Sequence, residues 1–170
     1  MQIDKKEYNP DLHDKFRALC VKQPYADLLT QVDYRDADGE YHARKTIEVR
    51  SRNLSYRGDL LICSSKKPVM ASHLSGVTCG LVEVYGTKPV EEFTEEDWEA
   101  TCIPEAERPR KGWGWLVRNP RRVVEMPVKG QLGLYDIIVP KGDITEYLRA
   151  STIDSDDWKL IQRKMRRAKK

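Results

Sequence analysis

Lys45, Glu48 and Arg50 lie within "ARKTIEVRSRN", residues 43–53. Their types suit a polar ligand: cations can meet phosphate or carbonyl oxygens, and a carboxylate accepts hydrogen bonds from base amino groups. Read as a strand, the stretch points Ile47 and Val49 inward and sets Thr46, Glu48 and Arg50 on the opposite face. A solvated strand face with surface ion pairs has the same pattern, and spacing alone favours that plainer reading.

Further candidates flank this strand in sequence. "CVKQPYA" places Lys22 and Gln23 before a helix that starts near Pro24 and Tyr25, where free backbone N–H groups can hold an anion. Ser64, Ser65 and Lys66 leave the apolar run "DLLIC" with two hydroxyls and a cation together. "KGWGWLVRNPRR" sets Trp113 and Trp115 beside Arg118, Arg121 and Arg122, a combination suited to base stacking with phosphate contact. Each has a plainer alternative: Lys22 as a loop cation, and the tryptophans as core. The four cysteines form no C-x-x-C pair and the three histidines fall in polar settings, so no metal site or cofactor is expected.

These side chains need elements to hold them. Residues 1–16 read as a loose leader, followed by a short strand around Leu19 to Val21. A helix then carries Tyr25, Leu28, Leu29 and Val32 on one face. Two extended arms surround the turn signal Asp38-Gly39. "YRGDLLICSS" and "GVTCGLVEVYG" read as strands, and Thr94 with Asp97 as a helix cap. After the tryptophans the pattern predicts a turn at Asn119-Pro120, an extended piece and a closing strand "GQLGLYDIIVP". Asp143 with Glu146 predicts that the chain turns helical again over 143–170. The resulting organisation is a leader (1–16), one domain (17–142) and a basic helical extension (143–170). The fold class is mostly β (α+β), a small barrel of about six strands flanked by two or three helices.

Charge follows this division. Residues 143–170 hold 8 Lys/Arg against 5 Asp/Glu, while the remainder holds 22 of each, so the net charge of +3 belongs to the tail. Arg163, Lys164, Arg166 and Arg167 are its candidate phosphate contacts, and its helix could also dock a protein partner. Within the neutral body, 91–107 carries eight acids and no base, and 108–122 six bases and no acid. No apolar run approaches the roughly 20 residues of a membrane span, and no secretory h-region is visible, which predicts a cytoplasmic protein without a membrane partner.

In order, "ALCVKQPYADLL", "RKTIEVRSRN", "YRGDLLICSSK", "GLVEVYG" and "KGQLGLYDI" resemble the ASCH domain family of the PUA-like barrel superfamily. The likeness spans roughly residues 17 to 138. Lys45, Glu48 and Arg50 match the family's lysine–glutamate–arginine signature, and Lys22, Gln23, Pro24 and Tyr25 its opening motif. Ala43 departs from a usual glycine, and residues 33–42 look like an insertion able to cover part of a cleft. The resemblance implies a cleft between barrel and helix that gathers Lys22, Lys45, Glu48 and Arg50 and binds RNA or another nucleotide-like ligand. It also implies an enzymatic alternative, with Lys45 and Glu48 as acid and base on RNA or a modified nucleoside such as N4-acetylcytidine. In the amidohydrolase branch, however, a threonine nucleophile occupies the place held here by Glu48, and Thr46 stands two residues early.

Overall fold

A computed structural model describes residues 2–147. The part of the expected C-terminal helix that carries Arg163, Lys164, Arg166 and Arg167 lies outside the described residues.

The strands are β1 (His13–Val21), β2 (Tyr34–Arg35), β3 (Tyr41–His42), β4 (Ile47–Arg50), β5 (Gly58–Ser64), β6 (Thr78–Pro89), β7 (Trp113–Val123), β8 (Leu134–Pro140) and β9 (Glu146–Tyr147). Among the described residues two α-helices accompany them, α1 (Tyr25–Thr30) and α2 (Glu95–Thr101). The main sheet runs β4-β7-β6-β5-β1-β8, with β9 added on β7. Among the described residues its one parallel pair is β1 with β5, and the other ladders are antiparallel.

The apolar run of β5 is buried because both faces of the sheet are covered there. Leu60 and Ile62 pack with Leu19, Val21, Val82, Val84 and Val117, whereas Leu61 and Cys63 pack with Ala18, Leu81, Val123, Ile137 and Val139. The six-strand path matches the expected small barrel, and it stays open between its ends. No ladder joins β4 to β8 among the described residues. Across the seam, the Arg50 guanidinium of β4 donates to the Cys20 carbonyl of β1 at 3.2 Å.

Both helices seat where the sheet presents glycine. A Cβ at Gly80 of β6 would collide with the Arg121 carbonyl and with Thr30 of α1. One at Gly114 of β7 would strike the Phe93 ring, just before α2. The Thr94–Asp97 capping box is formed, with Thr94 Oγ1 accepting from the Asp97 N–H and the Asp97 carboxylate accepting from the Thr94 N–H.

Three local expectations change. β1 begins at His13 and pairs with β8 down to Pro140, and the Ile3 N–H donates to the Ile138 carbonyl, so the leader's end is built into the sheet. Asn119-Pro120 makes no turn: Leu81 pairs with Arg121 and Glu83 with Arg118, so two residues of β7 oppose one of β6. The pair is a bulge, with Asn119 at φ 55°, and a bulge tolerates the proline that cannot donate to a ladder. Glu146 and Tyr147 extend as β9 along Arg122 and Val123 instead of starting a helix.

Candidate functional site

The seam beside β4 opens into a cleft of about 820 Å³. The end of β1, the start of α1, β4, the end of β5 and the strap 128–133 surround it. Glu48, with 8% of its surface exposed, lies on its floor. Lys45 Nζ approaches one carboxylate oxygen at 3.3 Å and Arg50 Nη2 the other at 2.9 Å. Burial alone would raise the Glu48 pKa, but the two cations outweigh it and hold the carboxyl below the usual glutamate range. Glu48 is therefore a fixed, ionised acceptor.

Lys45 is 1% exposed, which for a lysine requires every ammonium proton to have a partner. Nζ donates to the Ile47 carbonyl at 2.8 Å and to the Thr101 carbonyl at 2.7 Å, and the third partner is Glu48. Thr101 ends α2, whose last carbonyls lack partners within the helix and form the negative end of its dipole. Lys45 thus caps that helix, and Tyr25 lays its ring over the ammonium with the centroid 5.0 Å away. Burial first, and then nearby Glu107, push the Tyr25 phenol above its ordinary value, so it stays a neutral donor.

Lys22 and Lys66, both exposed, line the cleft with Ser64 and Ser65, and neither lysine has an ion pair among the described residues. Arg50 uses only Nη2 in its bonds to Glu48 and Cys20, so Nε and Nη1 remain for a ligand. The structure therefore brings Lys22, Tyr25, Lys45, Glu48, Arg50, Ser64, Ser65 and Lys66 to one place.

Other candidates fall elsewhere. Thr46 precedes the regular part of β4, where alternation does not yet apply. Its N–H and carbonyl bond Ala100 and Val117, and its side chain lines a separate depression of about 360 Å³. Gln23 is buried, its amide donating to the Leu74 carbonyl and its oxygen accepting from the Asp27 N–H, and Pro24 is the N-cap of α1. Trp115 is core, with its indole N–H on the Arg52 carbonyl, and Trp113 packs against the same cluster.

The three β7 arginines are engaged within the protein. Arg118 pairs with Glu83, and Arg121 with Asp59 and Glu146. Arg122, only 3% exposed, meets Asp27 and Thr30 at 2.8 Å each, which corrects its expected role as a phosphate contact. The hairpin β2–β3 does not roof the cleft: Tyr41 and His42 border the depression that contains Thr46.

Sequence reading missed the strap. Lys129, Gly130, Gln131, Leu132 and Gly133 close one side of the cleft, with Leu132 fully exposed. The available signal was "VKGQLG", a cation and an amide between glycines in a segment without periodicity. Of the cysteines, Cys20 reaches the cleft, whereas burial pushes Cys79 up to about 12 and Cys102 up to about 11, leaving inert thiols. Among the described residues no group of three or more His, Cys, Asp or Glu could hold a metal ion. No helix among them is long and apolar enough to cross a membrane.

An open six-strand path with a lysine–glutamate–arginine floor defines a small β domain with a polar ligand cleft. This chain belongs to the ASCH domain family, whose model matches residues 37–131. The ASCH crystal structure from Zymomonas mobilis is similar at 14% identity and a TM-score of 0.48, covering 86% of this chain and 93% of that one. A tyrosine-to-phenylalanine variant of the ASCH protein from Zymomonas mobilis aligns at 15% identity and a TM-score of 0.47, covering 68% and 77%. No curated protein matches the chain.

Proposed function

We propose that this protein binds RNA, taking one nucleotide into the cleft beside β4. The observation that carries the reading is charge geometry: an ionised, immobilised Glu48 on the floor of a cleft lined by exposed Lys22, Lys66 and Lys129. Unpaired cations attract phosphate, and a fixed carboxylate selects a base edge that carries an amino group. Arg50 both orients Glu48 and offers its remaining N–H groups to the ligand. The ASCH membership supports the same class of partner.

Hydrolysis by Lys45 and Glu48 draws no comparable support. The Lys45 protons are engaged by two carbonyls and Glu48, and the Glu48 carboxyl is held below the usual range instead of being poised near neutrality. Fluorescence anisotropy with single-stranded RNA at fixed salt tests the binding reading. Lys22→Ala and Arg50→Ala should each weaken binding about tenfold, a loss in the range of a charge-assisted hydrogen bond. Unchanged affinity in both variants would refute it.

A further inference from the structure

A second groove, about 590 Å³, lies on the other side of the strap that borders the cleft. The two cavities share Lys129 and Gln131, which line both. They also share a wall, since Cys20 lines the cleft, Tyr135 lines the groove, and Cys20 Sγ stands 3.2 Å from the Tyr135 hydroxyl. At Gly130 the strap presses against this wall: an added Cβ would stand 3.0 Å from Cys20 Sγ. The two cavities therefore adjoin along Lys129 and Gln131, with only the strap and the Cys20–Tyr135 contact identified between them.

The groove's chemistry suits the backbone of such a chain. Lys5 is largely exposed, with a long 3.8 Å pair to Asp136, and Arg17 meets the same carboxylate at 3.3 Å. Two cations sharing one carboxylate retain positive charge for a phosphate, and Lys129 adds an exposed ammonium. Asp4 is the other acid in the groove and accepts from the Lys6 N–H, so three cations face two carboxylates there and a positive excess remains. The Gln131 side chain has no hydrogen-bond partner among the described residues and stands at the crossing.

We infer that the ligand is a polynucleotide strand whose next phosphate lies in the groove formed by Lys5, Arg17 and Lys129. This rests on the cleft's binding of a nucleotide and adds a direction, from β4 across the strap toward the outer side of β8. A single nucleotide fills only the first half of the path.

The test compares a mixed-sequence single-stranded RNA hexanucleotide with an equimolar mixture of the four nucleoside 5′-monophosphates, by titration at fixed salt. The hexanucleotide should bind at least about tenfold tighter. The double variant Lys5→Ala/Arg17→Gln should remove most of that advantage and leave monophosphate binding unchanged, which also shows that the cleft is folded. Its log–log salt slope for the hexanucleotide should fall by about 0.7 for each phosphate that is no longer neutralised. Equal affinities for the two probes, or a hexanucleotide affinity indifferent to the double variant, overturn the strand path alone. Absence of binding by either probe, or binding indifferent to Lys22→Ala and Arg50→Ala, overturns the cleft reading and this extension together.

Discussion

Glu48 keeps its charge in a nearly closed setting because a cation stands at each oxygen. Replacing it with glutamine leaves Lys45 enclosed and without its counter-ion, a change that costs about 3–5 kcal/mol when one partner of a buried pair is removed. Urea unfolding at neutral pH measures that cost directly. A pH dependence accompanies it. Burial would raise the pKa of Glu48 and of Asp27, yet their partners hold both below the ordinary carboxylate range: the Lys45 and Arg50 cations for Glu48, and the His73 hydrogen bond with the Arg122 guanidinium for Asp27. A depressed folded pKa contributes stability that is complete above the unfolded value and is lost as pH falls through the folded one. The urea midpoint of the wild type should therefore decline as pH drops below about 5, and Glu48→Gln should flatten that acid limb. An equally steep limb in the variant would contradict a charge-based role for Glu48.

At the scale of elements, the hairpin β2–β3 is held by its own bonds and stacking. Asp36 accepts from the Asp38 and Glu40 N–H groups and meets His42 at 2.7 Å, and Tyr34 stacks on His42. It borders the Thr46 depression and not the cleft. Replacing residues 34–41 with a short glycine-serine turn should leave RNA affinity within about twofold, as expected for a self-contained surface loop. A tenfold loss in the same anisotropy measurement would show that the hairpin reaches the ligand.

Strands with a continuous apolar run, such as β5, were legible because burial imposes length, whereas β4 was legible as a strand but not in its burial, since adjacent Ile47 and Glu48 are buried and Val49 lines the cleft. The capping box of α2 was legible because it is local. The fate of Lys45 was not: its carbonyl partner Thr101 lies 56 residues away, and charge alone predicts exposure. Arg122 misled for the same reason, since Asp27 approaches it only once α1 seats on Gly80. The 128–133 strap has no periodicity, so position alone makes it part of the site.

Over the whole molecule, the proposed RNA binding assigns the basic residues of 163–170 to the same polyanion as the cationic rim of the cleft. Six of the eight residues in 163–170 are Lys or Arg. Removing them should weaken RNA binding at low salt and lower the log–log salt slope, while leaving the discrimination made by Glu48 unchanged. Titrations at several salt concentrations, run with sequences that differ in amino-bearing bases, separate the two contributions. An unchanged slope would remove the tail from the interface.

The enclosure of Lys45 also divides the lysines by reactivity. An acylating reagent needs room to approach the side-chain nitrogen, and Lys22, Lys66 and Lys129 are exposed, whereas Lys45 lies under Tyr25 with its protons engaged. Acetylation could therefore strip charge from the rim of the cleft while its floor stays intact. Lys45 becomes a built-in reference: label on the rim lysines reports occupancy of the cleft, and label on Lys45 reports that α2 has parted from β4.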